Sequence, residues 1–196
     1  MIIIDFKFGV PTKTHALQLA GYKMLVKEGE PLPDEAFSEK DHKYIVNGEK
    51  LDSVTQLIGI ADTNKGYYSP ESAQRGTYLH NLLNMYDKIR LKSGEVDVDL
   101  LDEEDSNILQ AYENWLKNNT IGIGMNSIMD IEKSYYHPVL EFAGRIDRTV
   151  DNNMDDISCF CLYINQEKVK DKKQRVDKYE RSTFLACRQI FNYMRR

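Results

Sequence analysis

The chain opens with Met1-Ile2-Ile3-Ile4-Asp5-Phe6-Lys7-Phe8-Gly9. Three consecutive β-branched residues and two aromatic residues favour a buried β-strand, and Gly9 marks its end. Because successive side chains of a strand point to opposite faces, Asp5 and Lys7 share one face, about 7 Å apart along the strand. Two interpretations stay open here. The pair is either a surface ion pair on an edge strand, or a carboxylate and an ammonium at a metal-dependent catalytic site.

The composition is that of a globular protein. The chain has 196 residues, of which 41% are hydrophobic and 29% charged, so we expect a single domain over residues 1–196. Because no run approaches 18 apolar residues, we expect no membrane span and a cytoplasmic location. The three cysteines fit a reduced intracellular protein and are too few for the four thiolates of a usual iron–sulfur cluster. The net charge of -5 argues modestly against general nucleic-acid affinity. A carboxylate site that binds cations is less affected, because the metal changes the local sign.

The rest of the chain alternates strand and helix patterns, which predicts an α/β (α+β) fold. The apolar spacing predicts helices over residues 15–27 and 70–91, another that begins at Asp102, and a last one that begins at Asp177 or Ser182. Asn47-Gly48 predicts a hairpin turn within residues 44–51. Strands are expected over 126–136, 139–150 and 157–164, whereas the polar stretches 28–43 and 167–178 are interpreted as connecting loops.

Five short patterns are spread along the chain. The first is Ser53-Val54-Thr55 followed by Arg75-Gly76-Thr77 and His80, and the second is Glu132 followed by Phe142-Ala143-Gly144-Arg145-Ile146-Asp147. The others are Ile4-Asp5-Phe6-Lys7, Gln18 followed four residues later by Tyr22, and Tyr163 with the stretch 177–184. Together they resemble the PD-(D/E)xK nuclease superfamily, and most closely its RecB-type and lambda-exonuclease-like branch. The resemblance covers nearly the whole chain and implies a restriction-endonuclease-like fold, a mixed central sheet flanked by helices.

The resemblance also implies a set of metal ligands. His80, Asp147 and Asp5 would hold Mg²⁺ or Mn²⁺, and the backbone carbonyl of Phe6 would be a further ligand. Asp147, Asp5 and Lys7 would be the catalytic residues, with Lys7 orienting the attacking water and stabilising charge on the phosphate. Such oxygen and nitrogen donors suit these two cations.

The remaining motif residues would handle the substrate. By the same resemblance, Gln18, Tyr22, Arg75 and Arg145 would contact DNA, and Glu132 would support the metal ligands from a second layer. A second interpretation of Arg145 stays open, in which it only pairs with Glu141.

The order of the motifs differs from that of the family. In the family the D-x-K strand and its Q-x-x-x-Y helix follow the strand that carries the central Asp, whereas here they come first. We therefore expect the Ile2–Phe8 strand to lie between the strand of Asp147 and the strand of residues 159–164. Whether such a site closes within one chain or by exchange between two chains stays open.

The function implied by the resemblance is that of a metal-dependent DNA nuclease. It would be an exonuclease of phage or bacterial recombination or repair, acting on DNA in the bacterial or phage-infected cell, as a possible homo-oligomer or with a recombination partner protein. One alternative is a catalytically inactive nucleic-acid-binding or assembly module of the same fold. Another is an α/β structural protein in which the motifs occur by coincidence. A complete set of His80, Asp147, Asp5 and Lys7 favours the enzyme.

Overall fold

The computed structural model describes residues 1–8, 12, 14–38, 43–61, 69–94, 96, 101–119, 121–151, 156–165, 168–174 and 178–194. These residues form a mixed α/β structure and group into two compact units. The first unit comprises Met1–Pro11, Gly66–Ile131 and Asp147–Lys173, and the second comprises Thr12–Lys65, Glu132–Ile146 and Gln174–Arg196. Each unit is described by itself, and the single domain over residues 1–196 stays a prediction.

The strands are β1 (Ile2–Lys7), β2 (Glu30–Pro31), β3 (Phe37–Ser38), β4 (Lys43–Val46), β5 (Glu49–Ser53), β6 (Ile128–His137), β7 (Phe142–Val150), β8 (Ser158–Ile164) and β9 (Val169–Gln174). The helices are α1 (Thr14–Glu28), α2 (Val54–Ile58), α3 (Pro70–Ser93), α4 (Glu103–Asn118) and α5 (Lys178–Met194), with short 3₁₀ turns at Asp34–Ala36 and Met125–Ser127. Among the described helices, none combines the length and the apolar character that crossing a membrane requires.

In the first unit, β1 has a hydrogen-bonded neighbour on each side. It pairs antiparallel with β7, from Ile2 opposite Val150 to Ile4 opposite Arg148. It pairs parallel with β8 along its whole length. The expected position of this strand, between the strand of Asp147 and that of residues 159–164, is therefore confirmed, and the edge-strand interpretation is wrong.

Helices α3 and α4 cover the apolar face of β1. Ile2, Ile4 and Phe6 belong to the same core cluster as Leu83 of α3 and Tyr112 of α4. The alternation of β1 therefore places one row of side chains in this core, as its sequence predicts. The predicted cap at Asp102 is confirmed, because its Oδ1 accepts a hydrogen bond from the backbone N of residue 105 at 2.8 Å.

The second unit combines α1, α2 and α5 with the hairpin β4–β5 and the first half of β7. The predicted hairpin turn is present, with Asn47 at φ 52° and Gly48 at φ 82°. β5 pairs parallel with β7, Ser53 lying opposite Ala143. A Cβ atom placed on Gly144 would lie 2.8 Å from a methyl carbon of Leu25, so α1 packs on β7 only because residue 144 lacks a side chain.

Two stretches expected to be loops contain strands. Residues 28–43 include β2, β3 and a buried Leu32. Residues 167–178 include β9, whose alternate side chains Val169 and Asp171 make contacts within the first unit. Val169 packs on the core, and the indole N–H of Trp115 donates to Asp171 at 3.0 Å. Because only one face of β9 packs, its polar composition resembled a solvated loop.

The start of the last helix is also corrected. Ser182 lies inside α5, which begins at Lys178, so Ser182 is not its N-terminus. The other predicted start, Asp177, lies outside the described residues.

Candidate metal centre

The candidate site lies where the β1–β7 ladder ends. The register places Asp5 opposite Asp147, one step beyond the last recorded pair, Ile4 and Arg148. At this point the backbone N–H of Phe6 donates to the side chain of Asp147 instead of to a main-chain carbonyl, with an N–Oδ2 distance of 2.6 Å. The carboxylate of Asp147 is thus held against the backbone of β1, although 141 residues separate it from Phe6.

His80 reaches the same carboxylate from α3. Its Nδ1 lies 3.6 Å from Asp147 Oδ2. The imidazole packs against Phe8 edge to face, with ring centroids 5.1 Å apart, and against Phe6 at 6.1 Å. These two rings limit how far the imidazole can turn. The structure therefore brings His80 and Asp147 together, as the metal-site prediction requires.

Asp5 and Lys7 form a buried ion pair in the same unit. Lys7 Nζ lies 2.7 Å from Asp5 Oδ2, and Asp5 is only 2% exposed. The interpretation of the two as a surface pair is therefore wrong. The pKa of Asp5 is raised to about 6, chiefly by burial and also by the charge of Asp147, and the opposing effect of Lys7 only partly offsets this rise. Burial opposes the charge on Lys7, but Asp5 outweighs that effect, so the pKa of Lys7 is raised above its usual range.

These electrostatics suit a divalent cation. Asp5 and Asp147 repel each other enough to raise the pKa of Asp5. A nearby dication would reverse this effect, because it favours the ionised form of each carboxylate. Carboxylate and imidazole donors suit Mg²⁺ and, because of the nitrogen, Mn²⁺ at least as well. The carboxylate of Asp5 does not lie within 4.8 Å of the ligand atoms of both His80 and Asp147, so its coordination of the ion stays a prediction.

A buried network behind the site was missed from the sequence. Arg148 Nε donates to Asp87 Oδ2 at 2.5 Å, and Tyr112 donates to the same oxygen at 3.1 Å. Arg148 also donates through Nη1 to the backbone carbonyl of Asp147, and its guanidinium lies 4.8 Å from the ring centroid of Phe6. Arg148 thus contacts Asp147 and Phe6, the two residues that are joined by the hydrogen bond at the end of the β1–β7 ladder.

The charges in this network are almost completely excluded from solvent. Arg148 and Asp87 are each 0% exposed, and Tyr112 is 1% exposed. Burial raises the pKa of the Tyr112 hydroxyl well above its ordinary value, and Asp87 adds to that effect. The sequence did contain a signal, since Asp87 follows Leu83 by four residues on the apolar stripe of α3. Arg148 likewise shares a strand face with Ile146 and Val150.

Arg75, predicted to contact DNA, pairs with protein carboxylates. Its Nη2 lies 2.7 Å from Glu104 Oε1 and 3.2 Å from Asp105 Oδ1. Its guanidinium also lies 5.0 Å from the ring centroid of Tyr78. A DNA contact by Arg75 stays a prediction, and these two carboxylates offset its charge.

Glu132 and Arg145 pair with each other in the second unit. Arg145 Nε lies 2.6 Å from Glu132 Oε2, and its guanidinium covers the ring of Phe37 at 4.9 Å. The partner of Arg145 is therefore Glu132, not Glu141 as one interpretation had it. Glu132 also adopts φ 55°, a conformation that L residues rarely take. The supporting role of Glu132 at the metal and a DNA contact by Arg145 stay predictions.

Gln18 and Tyr22 lie side by side on α1. Gln18 Nε2 donates to the Tyr22 hydroxyl at 2.9 Å, and both side chains are buried. Their expected place on one helix face is confirmed. Because they belong to the second unit, their placement beside Asp5 and their contact with DNA stay predictions.

Comparisons with known proteins add no relative. The chain matches no protein-family model, no curated protein and no solved structure.

Proposed function

We propose that this protein is a metal-dependent DNA nuclease of the PD-(D/E)xK type with a restriction-endonuclease-like fold. One observation carries the proposal. In the first unit, Asp147 accepts from Phe6 N at 2.6 Å, lies 3.6 Å from His80, and interacts electrostatically with the buried Asp5–Lys7 pair. Carboxylates, an imidazole and an ammonium are groups that hydrolysis of a phosphodiester can use.

The proposed chemistry assigns each side chain a role. Asp147, Asp5, His80 and the carbonyl of Phe6 would hold Mg²⁺ or Mn²⁺. A bound dication of this kind polarises a phosphate oxygen and makes water a stronger nucleophile. Lys7 would orient the attacking water and donate to the phosphate oxygen on which negative charge builds. Because its pKa is raised by Asp5, Lys7 stays protonated at neutral pH and acts as an electrostatic group rather than as a base.

The biological setting follows from the same proposal. The substrate would be DNA, and the reaction would be exonucleolytic cleavage in phage or bacterial recombination or repair. The protein would act in the cytoplasm, as a homo-oligomer or with a recombination partner protein. These assignments are supported only by the motif resemblance described above.

A cleavage assay tests the proposal. Linear and closed circular DNA are incubated with the wild type in Mg²⁺, in Mn²⁺ and in EDTA. Cleavage of the linear DNA alone, only in the presence of metal, is expected. Asp147→Ala should remove this activity, whereas Asp171→Asn, which keeps an acceptor for Trp115 in the same unit, should retain it. Metal-dependent binding without cleavage would instead support the inactive module.

A further inference from the structure

A cavity of about 700 Å³ lies in the first unit, at the end of β1. Phe8, Leu79, Ile108 and Ile164 contribute its apolar and aromatic walls. We propose that this cavity binds one unpaired nucleotide of a DNA strand, so that the substrate is a strand end that is single-stranded or frayed. This inference rests on the proposed nuclease function and names the form of DNA that it takes.

The walls fit a nucleobase. The volume falls within the range of about 300–1,000 Å³ that is usual for small-molecule sites. The ring of Phe8 supplies a surface on which a base of any identity can stack. A base that enters the cavity has left the base stack, so it cannot remain paired in a duplex.

The charges at the rim fit the phosphates that flank such a base. Lys168 and Lys170 line the cavity and are both exposed. As alternate residues at β9 they point to one side, about 7 Å apart. Glu104 also lines the cavity, but its carboxylate is offset by the ion pair with Arg75 at 2.7 Å. The two lysines therefore supply the net positive charge that a DNA backbone needs.

The cavity adjoins the candidate metal centre. Phe8 forms part of the cavity wall, and its ring centroid lies 5.1 Å from that of His80. A base held against Phe8 thus lies one side chain away from the imidazole. The phosphodiester beside that base is then the one presented to the centre formed by Asp147 and His80.

Gly76 gives the cavity part of its space. It lines the cavity from the interior of α3, and a Cβ atom placed on it would meet no atom within 4 Å. Because glycine is less favourable inside a helix than residues that carry a side chain, replacing Gly76 should not destabilise α3. A larger residue at this position would fill the cavity without disturbing the lysines.

Equilibrium binding in EDTA tests the inference without any contribution from metal or cleavage. A fluorescent oligothymidylate is titrated with the wild type, Gly76→Leu and Gly76→Ala, and anisotropy is measured. Gly76→Leu should weaken binding by about tenfold or more, the equivalent of one lost base–aromatic stack. Gly76→Ala, which adds a single methyl group, should weaken binding much less than Gly76→Leu. Thermal unfolding should show that neither variant is less stable.

A second pair of variants tests the phosphate contacts. Lys168→Ala/Lys170→Ala should reduce the slope of log affinity against log salt by about 1.4, the value for two phosphates of a single strand. Lys88→Ala/Lys92→Ala removes the same charge from exposed positions on α3, about 20 Å or more along the helix from residue 75. That control should leave the slope unchanged.

Comparison of two hairpin duplexes tests the preference for unpaired ends. The wild type should bind a hairpin with three unpaired nucleotides more tightly than a blunt one, and Gly76→Leu should lose that preference. Equal binding by Gly76→Leu and Gly76→Ala, or an equal loss of slope in both lysine pairs, would overturn the inference. If the binding pattern holds but the wild type cleaves no DNA with Mn²⁺, only the nuclease proposal fails.

Discussion

The buried carboxyl of Asp5 predicts an unusual dependence of stability on pH. Its pKa in the folded protein is raised from 3.8 to about 6, mainly by burial. As the pH rises from 4 to 6, the unfolded chain loses this proton before the folded protein does. The folded state then binds more protons than the unfolded state, so the free energy of unfolding falls as the pH rises. Asp5 therefore contributes stability that is fully present below pH 4 and lost above pH 6.

The size of this effect follows from the two pKa values. The difference between 3.8 and about 6 corresponds to about 3 kcal/mol. Urea unfolding in EDTA at intervals between pH 4 and 8 measures it. Asp5→Asn should lack this component of the pH dependence, whereas the control Asp171→Asn should retain it. An Asp5→Asn curve parallel to that of the wild type would contradict the argument.

Metal should reverse the trend. A divalent cation binds the ionised carboxylate, so Mn²⁺ should stabilise the folded protein more strongly as the pH rises. Below pH 6 the cation must displace the proton of Asp5, and its stabilising effect should fall by about 1.4 kcal/mol for each pH unit. The same unfolding series with excess Mn²⁺ tests this. If Mn²⁺ stabilises the protein equally at pH 5 and pH 7.5, Asp5 is not a ligand.

Three further outcomes are expected. Lys7→Ala should lower single-turnover cleavage by about 10²–10³-fold with little change in DNA affinity, and normal cleavage would remove Lys7 from the mechanism. Asp147→Ala should abolish Mn²⁺ binding in calorimetry, and unchanged Mn²⁺ affinity would exclude Asp147 as a ligand. Because Phe6 N loses its acceptor, the same variant should reduce the free energy of unfolding by about 1–3 kcal/mol. Asp87→Ala leaves the 0% exposed Arg148 without its carboxylate partner, so chemical denaturation should show a free energy of unfolding lower by about 3–5 kcal/mol. A loss below about 1 kcal/mol would be inconsistent with a buried ion pair.

The sequence predicted the elements whose residues act locally. The β-branched run of β1, the turn at Asn47-Gly48 and the cap at Asp102 each identify their element from neighbouring residues. The position of β1 between β7 and β8 was predicted for a different reason, since the motif order required it. These cases show why several elements of each unit could be predicted.

The parts that were missed depend on contacts that are distant in sequence. β9 is held in place by the hydrogen bond that the indole of Trp115 donates to Asp171, 56 residues away. The pair of Asp87 and Arg148 joins residues 61 positions apart. Each charge alone looks like an ordinary surface residue, and only its place on an apolar face distinguishes it. Propensity and spacing do not identify the partner that makes burial of such a charge tolerable.

The pairing of β1 has a consequence for how the chain acquires its structure during synthesis. Ile2–Lys7 leaves the ribosome long before Arg148 and Ser158, the first of its paired residues to be synthesised in β7 and β8. At about 5–20 residues per second, this interval lasts on the order of ten seconds. Throughout it, an apolar strand with two unsatisfied edges is exposed and prone to aggregate. The candidate centre at Asp5 also stays unassembled until Asp147 has emerged, so a nascent chain shorter than this has no complete candidate centre.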